Sequence, residues 1–292
     1  MFSKALAQVE QYTLPVIFAR RHWNTQISSG CGTCIVLNRD GWVLTAAHII
    51  SETLQLEKDR PEIDTYVKQR DSIVNDQRLH PNDKRKRLRA LKDNPLWVTD
   101  QAVLWGVTAN SQIQQFHFNA ASDIGIGRLQ PFDAGWIKAY PIFKNPAEPM
   151  LSGTSLCRLG FPFHQINATF DEQSKNFALA KGVLPVPRFP NEGIHTRIVM
   201  AVSPDGKDQV KYLETSSPGL RGQSGGPIFD VNAHVWAMQS KTQSLPLGIA
   251  PEVVQGKQKI VEHQFMHVGW GSHVEEIIKL CKQFGVAITL SA

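Results

Sequence analysis

Cysteine is scarce: four residues in 292 (Cys31, Cys34, Cys157 and Cys281). That density excludes a disulfide scaffold and leads us to expect free thiols in a reducing, cytoplasmic setting. Cys31 and Cys34 form a C-x-x-C, but no second Cys/His pair lies nearby, and a three-residue step along a strand sends side chains to opposite faces, so no zinc or other metal site and no cofactor are expected. Long apolar runs are also missing. A stretch such as Leu14 to Ala19 falls far short of the roughly 18 residues that span a bilayer, so no membrane partner is expected. The N-terminus carries Glu10 and has no continuous apolar segment ahead of a small-residue cleavage site, so it does not read as a secretory signal. Internal repeats and low-complexity tracts are absent, which excludes solenoids and fibres.

An excess of one sign of charge is missing as well, except in one place. Six of the 31 basic residues (Lys84, Arg85, Lys86, Arg87, Arg89, Lys92) fall between 81 and 92 beside a single acid, Asp83, which leaves 25 of each sign elsewhere. The net charge of +5 is therefore one local patch. Such a patch fits a solvated helix face, or a surface that touches a regulatory protein or nucleic acid.

What the chain has is a globular composition, 42% apolar and 20% charged, arranged in short β-rich runs. From Ser29 to Ile49 an aliphatic run, Asn38-Arg39-Asp40-Gly41 and a second aliphatic run spell a hairpin, because Asp-Gly supplies the positive φ angles a tight turn needs. His48 is then expected at the end of a strand. Residues 51–95 change character: Pro61 can open a helix, Ile63, Tyr66, Val67, Arg70 and Val74 recur at helical spacing, and Pro81 and Pro95 bound a second piece. This predicts a helical insertion that carries the basic patch. Beyond Leu96, strand-like runs (97–107, 113–118, 124–129, 155–161, 194–200, 210–215, 226–231 and 234–240) recur between Gly, Pro, Asn and Asp, the pattern of an all-β barrel or sandwich. Helix returns at the end, where Ser272 is expected to cap a segment with Val274, Ile277, Ile278 and Cys281 on one face and Gly285 to stop it.

Three stretches carry candidate chemistry: T-A-A-H (Thr45 to His48), S-D-I-G-I-G (Ser122 to Gly127) and G-Q-S-G-G-P (Gly222 to Pro227). Alone, each has a bland reading as a strand end or a turn. Taken in order, they resemble the trypsin-like serine peptidases. The likeness is nearest to the bacterial HtrA-like branch, through Gly30-Cys31-Gly32, Asp40-Gly41, Leu159-Gly160-Phe161-Pro162-Phe163 and Tyr212-Leu213-Glu214-Thr215. It runs from about residue 12 to 285, excepting the insertion and residues 165–210. The resemblance implies two six-stranded antiparallel β-barrels of chymotrypsin-like fold, a first unit over 12–135 interrupted by the 51–95 insertion, and a second over 136–292 ending in the helix.

It also implies a serine endopeptidase acting on protein or peptide. A serine hydroxyl is a poor nucleophile near neutral pH; an imidazole must take its proton, and a carboxylate must hold the imidazole and stabilise its cation. Ser224, His48 and Asp123 stand at those positions, and the backbone N–H groups of Gly222 and Ser224 at the oxyanion hole. Where digestive enzymes place the Asp that receives a newly cut N-terminus, this chain has Gln223, so activation by such a cut is not expected. The branch usually continues into a PDZ domain, which these residues do not contain. The substrate pocket is expected from Pro218, Gly219, Gln239, Ser240 and Lys241. Pro218 disfavours cleavage after Arg or Lys, Lys241 either favours an acidic side chain or points into solvent, and small or medium apolar side chains are the first expectation. Two other readings stand beside this one: a binding module of the same fold that docks through its basic insertion, and an enzyme whose loop from Pro218 to Gln223 orders only when a partner binds.

Overall fold

The structure, a computed structural model, describes residues 1–106, 111–203, 206, 209–255, 258–261 and 263–292. A short helix α1 (Ser3–Val9) leads into strands β1 (Thr13–His22), β2 (Ile27–Val36) and β3 (Trp42–Ala46). Helices α2 (Ala47–Thr53), α3 (Gln55–Asn75) and α4 (Pro81–Ala90) follow, then β4 (Val98–Leu104), β5 (Gln112–Asn119) and β6 (Ile124–Gln130). These six strands form one curled antiparallel sheet in the order β4-β1-β2-β3-β6-β5. The predicted hairpin is the β2–β3 pair, registered Ile35 to Leu44 and Val36 to Val43. Val107, the last residue of its strand-like run, lies outside the described residues.

The second half contains β7 (Ile142–Phe143), β8 (Ser155–Gly160), the hairpin β9 (Ala168–Asp171) and β10 (Asn176–Leu179), β11 (Phe189–Val202), β12 (Gln209–Thr215), β13 (Pro227–Phe229) and β14 (His234–Pro246). After these come β15 (Glu252–Gln255), β16 (Gln258–Val261), β17 (Phe265–His273), helix α5 (Val274–Gln283) and β18 (Thr289–Leu290). The order β13-β8-β11-β12-β17-β14 is closed by a direct β13–β14 pairing, giving a six-stranded antiparallel ring. The short β7 and β18 extend it in parallel, β7 against β14 and β18 against β7. Residues 165–210, unmatched in sequence, supply the β9–β10 hairpin and the 14-residue β11.

One apolar core joins the halves. Val36, Leu44, Ile124 and Ile126 of the first sheet pack in the same cluster as Phe143, Leu159, Phe229, Val235 and Met238 of the second and Val274, Ile277 and Cys281 of α5. Burial of such side chains, each worth about 1.5–3 kcal/mol, fixes the two sheets against each other and so fixes the cleft between them.

Several local expectations need correction. Pro61 does not open a helix; α3 starts at Gln55 and contains Pro61 within its length. The helix survives because it is anchored on β4 from the side: Asp59 Oδ2 accepts from the Val98 N–H (2.8 Å), Glu62 Oε2 accepts from Trp97 Nε1 (2.9 Å), and Tyr66 meets the Trp23 and Trp97 rings edge-on. Strand β3 ends at Ala46, so His48 sits in the first turn of α2, just past the expected strand end. Ser272 does not cap α5. Its hydroxyl donates to the Ser122 carbonyl, and the cap is His273, whose Nδ1 accepts from the Glu275 N–H (3.2 Å). Val274, Ile277, Ile278 and Cys281 are buried as expected.

Candidate active site

His48, Asp123 and Ser224 arrive from three different elements. His48 hangs from α2, Asp123 ends the turn before β6, and Ser224 lies in the turn before β13. Asp123 adopts φ +53, an uncommon conformation for a residue with a side chain. The second half holds that turn with three hydroxyls on consecutive residues: Tyr212 donates to the Ala121 carbonyl (2.8 Å), Ser272 to the Ser122 carbonyl (2.5 Å) and Ser240 to Asp123 Oδ2 (2.7 Å). The Asp123 carbonyl accepts from the Ala47 N–H (3.1 Å). An aspartate presented this way is fixed before any ligand arrives.

Both Asp123 carboxylate oxygens lie 3.0 Å from His48 Nδ1, and Oδ1 also accepts from the His48 N–H at 3.1 Å. Partial burial of the imidazole works against its cation, but the Asp123 hydrogen bond and charge, with the charge of Glu52, outweigh it and hold the His48 pKa above the ordinary 6.5. The carboxylate therefore selects the Nδ1–H tautomer and leaves Nε2 as the free base. Among the described residues, the Ser224 hydroxyl bonds to the Ser240 carbonyl (3.4 Å) and not to His48.

The loop before Ser224 is tied down from both halves. Thr33 of β2 donates its N–H to the Ser224 carbonyl (2.9 Å) and its hydroxyl to the Gly222 carbonyl (2.7 Å), and the Phe161 N–H reaches the same Gly222 carbonyl (3.2 Å). The Gln223 carbonyl accepts from the Gly226 N–H (2.8 Å), so the Ser224 N–H of that peptide must point the opposite way. Among the described residues neither the Gly222 nor the Ser224 N–H has an acceptor. Gly222 stands at φ +100 with the Phe161 carbonyl oxygen 2.4 Å from where a Cβ would lie; Gly225, at φ +88, would put one 2.0 Å from the Thr33 carbonyl. No other residue fits either place. Gln223 is fully buried, and its Oε1 accepts the Leu220 N–H (2.9 Å) across the turn. The Gln223 side-chain amide thus braces the turn that leads into Ser224 from within. A cleft of about 530 Å3 adjoins it, lined by Cys31, Phe161, Phe163, Ile166, Leu220 and Gly222 among others.

Residues 32–238 match the family model of the trypsin-like peptidase domain. The chain belongs to the trypsin-like peptidases. In structure it is similar to an HtrA-type protease, AlgW, carrying a serine-to-alanine change and bound to a decapeptide (TM-score 0.53, 9% identity, covering 98% of this chain and 68% of that one). A second AlgW structure holds a tripeptide (TM-score 0.51, 9% identity, 97% and 63%). The Rv3671c protease from M. tuberculosis in its active form has a TM-score of 0.50 at 13% identity, covering 98% and 86%. No curated protein matches the chain in sequence.

Of the expected pocket residues of this trypsin-like peptidase, Gly219 and Gln239 face each other, since a Cβ on Gly219 would fall 2.1 Å from Gln239 Nε2. The Ser240 hydroxyl serves Asp123, and its carbonyl lies beside the Ser224 hydroxyl. Exposed Lys241 lies over two aromatic rings, its Nζ 4.4 Å from the Tyr212 ring centroid and 5.2 Å from that of Trp270. Pro218 contributes its carbonyl to a residue that sequence reasoning passed over. Arg158 of β8, 1% exposed, donates Nη1 to the Pro218 carbonyl (2.9 Å) and Nη2 to the Thr215 hydroxyl (2.6 Å). Burial pulls its pKa down to about 10. The signal was present, a lone cation in the apolar run Leu156-Cys157-Arg158-Leu159. The basic patch lies on and just after α4, a helix with no buried residue, and none of its six cations forms an ion pair among the described residues. The described residues contain no cluster able to hold a metal.

Proposed function

We propose that this trypsin-like peptidase is a serine endopeptidase in which Ser224 is the nucleophile, His48 the general base and Asp123 the residue that orients and stabilises the imidazole. The observation that carries the reading is the Asp123 carboxylate, immobilised by Ser240 and gripping His48 Nδ1 with both oxygens at 3.0 Å. For catalysis the Ser224 hydroxyl must leave the Ser240 carbonyl and donate to His48 Nε2. As Oγ attacks the scissile carbonyl carbon, its proton passes to Nε2 and the carbonyl oxygen becomes an oxyanion held by the Gly222 and Ser224 N–H groups. Collapse breaks the C–N bond, His48 returns the proton to the leaving amine, and an ester on Ser224 remains. Water, deprotonated by the same imidazole, then cleaves that ester and restores the hydroxyl.

The cleft beside Gly222 suits the leaving segment of the chain. Peptides bound to the AlgW relatives support a peptide substrate here. Four free cysteines fit a reducing compartment. The test is hydrolysis of unstructured protein and of a peptide library, read by mass spectrometry, with Ser224→Ala as control. Cleavage that survives Ser224→Ala, or an initial burst of amine that fails to equal the enzyme concentration where deacylation is slow, contradicts the assignment.

A further inference from the structure

Among the described residues, Arg158 is a buried cation without a counter-ion. Its guanidinium touches only neutral oxygens, those of Pro218, Thr215 and Ser217, its Nε has no partner, and no carboxylate contributes to its surroundings. A charge removed from water without an anion is costly to the fold, so its retention calls for a reason. Its location supplies one. Pro218 stands six residues before Ser224, at the floor of the expected pocket, and a Cβ on Gly269 would fall 2.4 Å from Arg158 Nη2. Gly269 pairs with Thr242 across β14 and β17, and the Thr242 hydroxyl donates to the Gly219 carbonyl (2.7 Å), joining the two walls. The tip of the cation thus lies against Pro218 and Gly269, and Gly219, Thr242 and Gln239 are joined to those two by the chain, the strand pairing and side-chain contacts.

We infer that Arg158 makes this pocket selective for an acidic side chain, aspartate or glutamate, immediately before the scissile bond. The inference rests on the peptidase reading above and replaces the expectation of an apolar preference. An entering carboxylate supplies the anion that Arg158 lacks and takes the Thr242 hydroxyl from Gly219; a lysine or arginine side chain meets a like charge in a medium of low dielectric. Gln239 adds a competitor. Its Nε2 donates to the Lys241 carbonyl (3.0 Å) while its Oε1 is buried without a donor, a feature that favours a carboxamide. A full charge without a counter-ion outweighs one missing hydrogen bond between neutral groups, so glutamate ranks above glutamine.

The test uses the full chain with Ser224→Ala and measures binding of N-acylated tetrapeptides that differ only in a final Glu, Gln, Leu or Lys, so that all four carry the same terminal carboxylate. The Glu peptide is expected to bind at least tenfold more tightly than the Gln and Leu peptides, and the Lys peptide least. Arg158→Lys should keep that order, and Arg158→Met, where circular dichroism shows it folded, should erase it; if it does not fold, the ranking by the Arg158 protein decides alone. Binding that is equal for all four, absent for all four, or led by Leu or Gln overturns the inference. Failure of the peptidase reading looks different: a Glu-selective protein with Ser224 intact that hydrolyses no peptide.

Discussion

Alanine at Gly222 probes the oxyanion hole through backbone geometry alone. At φ +100 a side chain is strained by about 1–3 kcal/mol, and a Cβ placed 2.4 Å from the Phe161 carbonyl oxygen and 2.9 Å from its carbon adds an overpacking penalty of about 1–3 kcal/mol. Those neighbours are backbone atoms fixed in the sheet, so they do not yield as a flexible side chain would. The escape is rotation of the Arg221–Gly222 peptide, whose carbonyl and N–H lack partners among the described residues. Rotation swings the Gly222 N–H out of the hole. We therefore expect Gly222→Ala to lose about 2–4 kcal/mol in denaturant unfolding, and its rate of labelling by a fluorophosphonate to fall about 100- to 1,000-fold, the usual effect of removing one such donor. Gly153→Ala is the control. Gly153 has φ +88, but a Cβ there meets nothing within 4 Å, so it isolates the conformational penalty: about 1–2 kcal/mol, with labelling unchanged. A Gly222→Ala protein that labels within threefold of the parent would refute the assignment of this N–H to the hole.

Other outcomes follow from the same geometry. Asp123→Asn should lower activity about 10,000-fold, because the neutral amide no longer fixes the Nδ1–H tautomer; kcat/KM measured against a peptide amide checks it. Activity needs neutral His48, so its acidic limb should have a midpoint above 6.5, and Glu52→Gln, which removes one of the negative charges holding that pKa up, should move the midpoint to lower pH in a kcat/KM–pH profile. Ser240→Ala strips the 2.7 Å bond from Asp123 and should cost about 10- to 100-fold in kcat with the fold intact by circular dichroism. Replacing exposed Arg85, Lys86 and Arg89 by glutamate should leave unfolding free energy within about 0.5 kcal/mol, since α4 buries nothing.

How far the sequence reached depended on whether a feature was local. The Asp40-Gly41 hairpin, the short strands and the apolar face of α5 follow from neighbouring residues, and they stand in the structure. The parallel additions β7 and β18 are two residues each and have no local signature, because their pairing is set by the strand beside them. Pro61 misled for a related reason: it marks a helix start by local rules, yet contacts from Asp59, Glu62 and Tyr66 to Val98 and Trp97 at the start of β4 hold helix on both sides of it. The sequence also pointed to His48 and Asp123, which do meet in the structure, and to Ser224, whose role with them belongs to the proposal. What Ser240, Gln223 and Arg158 do was not legible, because each acts on a group distant in the chain or across a turn. For Lys241 the sequence left open a pocket role or solvent; it did not foresee the contact with the Tyr212 and Trp270 rings, which are distant in the chain.

The central claim, that His48 activates the hydroxyl of Ser224, is tested most directly by mapping where a fluorophosphonate attaches. Intact-mass and peptide analysis should find a single adduct on Ser224, lost in Ser224→Ala and in His48→Ala. A folded protein that takes up no adduct, or takes it up on another residue, would contradict the account.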